Sequence, residues 1–370
     1  MSAYAPLVEM TRGARGGEGL VEELHIGAVA VVDGTGALVA EVGSAEVPVH
    51  LRSTAKPFQL LPLLLDGLHE RPLSRPDAAG RAPKRPVQLS QEDLAVMMAS
   101  HSGQVAHTGR VARLLKAVGL GAEDLRCGAH APVHGATAET LLLGAQVPSA
   151  LHNNCSGKHT NMLLTCLHNG YPLPTYLDRD HPLQERIRRI VAAFSGQDEA
   201  SLGECVDGCS APTFVMPLWG LARMFAHLAW PEGAPPVEGR EVGEALRTLW
   251  AASTGHPFLI AGAGRLDTAL MESCEGRVMA KIGAAGAYVF GVRPDARWPT
   301  GLGVAVKVLD GDASGAVRPL VVTELLRQLG VVEGALPAAL EAVVVRQVSN
   351  HLGLTVGHQT AVFGLNSEQP

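Results

Sequence analysis

The sequence predicts an α/β protein with one mixed central sheet, built from the N- and C-terminal segments, and a helical region between them. Three observations carry this. Strand-like apolar runs cluster before residue 50 and after residue 277, helix-period patterns fill the middle, and no fixed-period repeat or linker frees a second domain. Residues 1–370 are therefore expected to form a single domain, with a helical region of roughly 90–255 packed on a sheet from roughly 20–50 and 277–360.

The elements follow in order. His25 to Val32 is apolar-rich, Asp33-Gly34-Thr35-Gly36 is a turn and Ala37 to Val42 is apolar again, which predicts a β-hairpin. A helix start comes next, at Arg52 to Gln59, because Pro57 lacks a backbone donor and is tolerated only in a first turn. Residues 70–88 have loop composition, rich in Pro, Arg and Ala. Ser90-Gln91-Glu92-Asp93 marks a capped helix that runs to about Ser100. Helical patterns follow at 105–118 (closed by Gly119), 136–144, 158–168, 181–195, 213–228 and 241–252. Strand character returns at Arg277 to Val292 and Gly303 to Leu309. Helices are expected near 316–329 and 335–343, and a last strand at Leu354–Val356.

Composition bounds the function. Aromatics are only 4% against 42 glycines, so the core must be aliphatic. A net charge of -6 without a basic block argues against a nucleic-acid partner. No apolar run is long enough to span a membrane, and Met1 to Pro6 lacks the charged and apolar regions of an export signal, so the expected location is cytoplasmic. The cysteines at 127, 155, 166, 205, 209 and 274 then point to reduced thiols or metal ligation rather than disulfides. Of the 30 basic residues only six are lysines, 56, 84, 116, 158, 281 and 307. Where arginine serves for plain positive charge, each lysine merits scrutiny as a base or a ligand.

Five stretches carry chemistry. Ser53 lies three residues before Lys56 at the helix start, so hydroxyl and amine share a face where unpaired backbone amides favour an oxyanion. The competing reading is an N-cap serine beside a solvated lysine. Ser100-His101-Ser102-Gly103 puts a serine and a histidine at a helix end, or is simply a polar terminus. In His152 to His159, Gly157-Lys158 lacks the upstream glycine of a phosphate loop, which excludes nucleotide binding; what remains is Cys155 three residues before Lys158. Asp207-Gly208-Cys209 on an extended segment would aim carboxylate and thiol the same way. With Cys155 and Lys158 this is enough to bind zinc, although ordinary buried cysteines fit as well. Lys281 sits in an apolar strand ending in glycines, either a buried amine of lowered pKa or an edge-strand lysine.

Together with Cys127-Gly128-Ala129-His130 and Gly264-Arg265-Leu266-Asp267-Thr268, these stretches resemble one family, the Rhizobium etli-type L-asparaginases or asparaginase II family. The most specific is Leu-His-Asn-Asn-Cys-Ser-Gly-Lys-His at 151–159. The resemblance implies a fold like serine β-lactamases and bacterial glutaminases, and hydrolysis of L-asparagine to L-aspartate and ammonia. It implies two Ser-Lys pairs, Ser53 with Lys56 and Ser100 with Lys281, and a metal, usually zinc, on Cys155, Lys158 and Cys209 with Asp207 adjacent. Arg52, His159 and Asp207 become substrate contacts, and a homodimer is expected. The alternatives are a glutaminase, a β-lactam or peptide hydrolase on the same scaffold, or an inactive metal- or amino-acid-binding protein. The chain departs from the family pattern at Gln104 and Ala285, where acidic residues are expected, and its 70–88 loop is longer than usual.

Overall fold

The computed structural model describes residues 3–13, 19–73 and 87–367. Most of the predicted 70–88 loop lies outside these residues; at its two ends Leu73 and Val87 form an antiparallel bridge. The chain divides into two compact units, one from Met1–Thr54, Met216–Gly233 and Ala269–Pro370, the other from Ala55–Val215 and Ala234–Thr268.

The first unit is a sheet with a helix on it. Strand β1 (Ala5–Arg12) pairs the first half of the long β2 (Leu20–Asp33), and β3 (Leu38–Val42) pairs the second half through the expected hairpin. Leu302–Val308 takes the other side of that second half, followed outward by Ala287–Val292 and Val278–Ile282. On the far side of β1 comes Thr355–Ala361. Both ends of the chain do supply the sheet, but among the described residues every pairing in it is antiparallel rather than mixed. Its inner residues, among them Val29, Val31, Val304 and Val306, are wholly buried. The helix Leu218–Ala229 lies across β2, Ala287–Val292 and Leu302–Val308. It comes that close because residue 303 is glycine: a Cβ there would stand 1.9 Å from the Ala222 carbonyl. The expected helix at 213–228 is therefore corrected. Pro212–Pro217 is a strand paired with Gly203–Val206, and the helix begins only after Pro217.

The second unit is helical. It holds α1 (Lys56–Leu65), α2 (Gln91–Met97), α3 (Val105–Ala117), α4 (Gly135–Leu143), α5 (Ser156–Asn169), α6 (Pro182–Ser195) and Gly243–Gly255. Nearly all of α1 is buried, and it packs on α5, α6 and Gly243–Gly255, the behaviour of a helix apolar on every face. As the proline predicts, α1 starts with Pro57 in its first turn, preceded by one 3₁₀ turn, Arg52–Ala55. Ser90 and Asp93 make the expected capping box: the Asp93 amide donates to Ser90 Oγ at 3.3 Å and the Ser90 amide to Asp93 Oδ2 at 3.0 Å. Helix α2 stops at Met97, so Ser100 to Gly103 are irregular chain beyond its end. Among the described residues no helix is long and apolar enough to cross a membrane.

Candidate active site

Lys56 is the first functional side chain of the helical unit and is 1% exposed. Its ammonium donates to the Ala99 carbonyl at 2.6 Å, the Asn154 carbonyl at 3.1 Å and Ser100 Oγ at 3.0 Å. Three donors thus meet three oxygens. The carbonyls can only accept, whereas a hydroxyl can accept or donate. If Lys56 gives up one proton, its two remaining N–H groups stay on the carbonyls and its lone pair falls toward Ser100. Proton exchange between Lys56 and Ser100 therefore leaves both carbonyl bonds of Lys56 in place.

Lys158, 2% exposed, occupies the first turn of α5 with Cys155 at the N-cap. Its ammonium donates to Cys209 Sγ at 2.9 Å. Ligand atoms of Cys155, Asp207 and Cys209 all lie within 4.8 Å of one another. The hydrogen bond from Cys209, then the charges of Lys56 and Lys158, outweigh burial and hold Cys155 well below the usual thiol range. The same bond, with burial, pushes Cys209 up. Burial opposes the charge on Lys158, but Cys155 and Cys209 outweigh it and carry the amine above the ordinary lysine range. Two thiols, a carboxylate and an amine in this arrangement match the donor types and number of a tetrahedral zinc site. Asp207 and Cys209 converge by a route other than the one expected. The strand ends at Val206, and residues 207–210 form a turn closed by the Ser210 amide on the Asp207 carbonyl at 2.8 Å. Side chains two apart meet because the chain folds back: Cys209 Sγ lies 3.5 Å from Asp207 Oδ2.

The remaining motif residues hold these groups in place. Asn153 Nδ2 donates to the carbonyls of Cys127 and Gly128, and its Oδ1 accepts from the Cys155 amide. The Asn154 amide donates to His130 Nε2 at 3.1 Å. Segment 127–130 is thus a clamp on the loop carrying the Asn154 carbonyl and Cys155. Ser156 Oγ donates to the Leu151 carbonyl and so accepts from His101 Nε2, while His101 Nδ1 accepts from the Gly103 amide. Burial, then the neighbouring charges, keep His101 well below the usual imidazole range, so it is a neutral strut between the Ser100 loop and α5. Gln104 Oε1 accepts from the Ala263 amide at 3.0 Å, tying in the Gly264–Thr268 motif. Gly157 is not part of a phosphate loop. A Cβ there would stand 1.9 Å from the Val96 carbonyl, so glycine is what lets α5 lie on α2. The sequence offered no roles for Asn153, His130, His101 or Ser156, although all four lie in segments already flagged as motifs.

Arg52, Ser53 and Lys281 belong to the sheet unit. Arg52 has a left-handed backbone, φ 47, immediately before Ser53 in the 3₁₀ turn. A non-glycine residue held there stores roughly 1–3 kcal/mol of strain. Within this unit the turn meets the end of the strand carrying Lys281: a Cβ on Gly283 would stand 3.0 Å from Thr54 Cγ2. Lys281 is 1% exposed and donates to the Ile282 carbonyl at 3.2 Å. Its strand, Val278–Ile282, is the last of the sheet order, but a buried amine does nothing to guard a solvent edge. Ala285 takes φ 51 in the turn after Lys281, and its carbonyl accepts from Lys307 Nζ.

His159 follows Lys158 and is fully buried. Its Nδ1 lies 2.6 Å from the hydroxyl of Tyr176, a residue the sequence did not single out. Burial, then Lys158 and Lys56, hold His159 neutral.

A family model described as L-asparaginase II matches residues 8–361. Solved structures similar to this chain include a Bacillus glutaminase determined in 4.3 M NaCl, at 12% identity, covering 82% of this chain and 91% of that one with a TM-score of 0.37. They also include a probable glutaminase from Bacillus subtilis complexed with 6-diazo-5-oxo-L-norleucine, at 13% identity, 82% and 84% coverage and a TM-score of 0.38. No curated protein matches the chain.

Proposed function

Because the chain belongs to the L-asparaginase II family, we propose that it hydrolyses the side-chain amide of L-asparagine to give L-aspartate and ammonia. As a member of that family it is an amidohydrolase; asparagine as substrate and the serine-lysine chemistry are our reading. The observation that supports it best is the hydrogen bond of 3.0 Å between Lys56 Nζ and Ser100 Oγ, two residues far apart in the chain and both buried. A lysine whose third bond can reverse direction is suited to take a proton from a nucleophile and return it to a leaving amine.

In this reading Ser53 attacks the amide carbon and Lys56 takes its proton. A β-aspartyl ester forms on the serine. Ser100 passes a proton to the departing nitrogen, and ammonia leaves. Lys281 helps to activate the water that releases aspartate. Backbone amides at the start of the Arg52–Leu65 helical run serve the oxyanion. Arg52, His159 and Asp207 bind the substrate. Cys155, Cys209 and Lys158 would hold a zinc ion, with Asp207 beside it; when bound, it would polarise or orient the substrate. Lys158 must give up a proton to become a ligand, so acid weakens the site. The reading carries with it a cytoplasmic homodimer, checked by light scattering and cell fractionation.

The test compares ammonia release from L-asparagine and L-glutamine by the purified protein. Faster turnover of asparagine is expected; faster turnover of glutamine would make the chain a glutaminase, and turnover of neither would leave a binding protein. The direct bond from Lys56 to Ser100 also favours a second reading, with Ser100 as the nucleophile. Acid quench with a slow analogue and peptide mapping separates the two. Ser53→Ala should give no adduct and Ser100→Ala should accumulate one; an adduct on Ser100 in the Ser53→Ala protein reverses the roles.

A further inference from the structure

The Tyr176 hydroxyl carries information that no motif records. Its oxygen accepts from the Arg126 amide at 2.9 Å and lies 2.6 Å from His159 Nδ1. The rings meet edge to face, with centroids 5.6 Å apart at 85°, and both residues are 0% exposed. A phenol has one proton to give. Among the described residues Nδ1 is the acceptor within reach of that proton, which assigns the hydroxyl as its donor, and an imidazole that accepts at Nδ1 keeps its own proton on Nε2. That Nε2 is buried and has no hydrogen-bond partner among the described residues. A fully buried N–H without an acceptor is costly, and a ligand that brings one would remove the cost.

The donor itself says what kind. An ammonium group of a ligand offers nothing to an N–H, whereas a carboxylate is a strong acceptor for one. We propose that Tyr176 is a positioning residue that locks His159 as the Nε2–H tautomer, making it a neutral donor to a carboxylate of the amino-acid substrate. The identity of the ligand rests on the amidohydrolase reading; the tautomer does not.

The test is nitrogen-15 NMR of histidine-labelled protein, with His159 assigned by its loss in His159→Gln. A protonated Nε2 and an unprotonated Nδ1 are expected in the wild type, and titration with L-aspartate should shift the Nε2–H signal. A proton on Nδ1 overturns the tautomer, and an Nε2–H signal that ignores L-aspartate overturns the carboxylate role; neither reading depends on turnover. With turnover in hand, Tyr176→Phe should raise KM for L-asparagine about tenfold, the worth of one ordinary hydrogen bond, with kcat little changed. His159→Gln places an amide nitrogen near the Nε2 position without help from Tyr176. In that background Tyr176→Phe should leave KM unmoved, and a second rise there would show that Tyr176 acts by another route.

Discussion

Lys56 and Lys158 begin alike and end differently. Each sits in the first turn of a buried helix, three residues after a small residue with a hydroxyl or thiol, Ser53 in one case and Cys155 in the other. Yet Lys56 is held by three oxygens and Lys158 by sulfur. The difference comes from distant chain: the Ala99 and Asn154 carbonyls and the Ser100 hydroxyl at one site, Cys209 on a turn at the other. Hard oxygen acceptors leave a lysine to carry protons. Thiols leave it to stabilise a thiolate or, once neutral, to join them around a metal.

The contrast is broken most forcefully at Lys56. Lys56→Arg keeps the charge but cannot act as a base, so turnover should fall at least ~1,000-fold, a barrier change of about 4 kcal/mol, with the far-UV spectrum unchanged. Retention of more than about a tenth of the rate, worth only ~1.4 kcal/mol, would falsify the proton-carrier role. On the sulfur side, mass-resolved thiol labelling with and without a strong chelator should show Cys155 and Cys209 protected until metal is removed. Cys127, Cys166, Cys205 and Cys274 should not respond. If Cys155 and Cys209 label equally in both conditions, no metal distinguishes the sites.

Smaller changes sharpen the comparison. Gly157→Ala forces a methyl toward the Val96 carbonyl, and over-packing of this kind should cost roughly 1–3 kcal/mol in urea unfolding. It should damage both sites together, because α5 begins at the thiols and α2 leads to Ser100. An unchanged midpoint would mean the helices part without penalty. The smallest effect is at Asp93, which caps α2 and accepts from Arg110 and Arg113. Burial raises its carboxyl, but Arg113 and the Ser90 amide outweigh this and leave it below the usual range. A depressed folded pKa gives stability that is present above the unfolded value of ~3.9 and lost as pH falls through the folded one. Asp93→Asn should therefore cost about 1 kcal/mol at neutral pH, flatten the acid limb of the stability curve and spare turnover. Equal loss of stability in acid by both proteins would remove Asp93 from that limb.

Much of this architecture was legible in the chain. The hairpin through Asp33 to Gly36, the Ser90–Asp93 cap, Pro57 and the closing glycine at 119 are local signals that need only nearby residues, and each falls where it was expected. The strand Ala5–Arg12 was missed because its alternation is short and broken by Pro6. The helix expected at 213 gave way to a strand because pairing with Gly203–Val206 decides that stretch, and pairing is not local. At the site, residue types and spacing marked both lysines. They did not reveal that Lys56 meets Ser100, because the partner comes from the irregular chain beyond α2. Nor could they single out Tyr176, whose role exists only through a histidine and a backbone amide that the fold brings to it.

Gly157 has one more implication, for how such a chain can change over generations. Every single-base change that puts another residue in place of glycine adds a β-carbon, and here a β-carbon meets backbone rather than a side chain that could turn aside. Neighbouring positions can drift as substrate preference drifts. This one is fixed by geometry whatever the enzyme acts on, so among distant descendants of the same ancestor it should outlast the chemistry beside it.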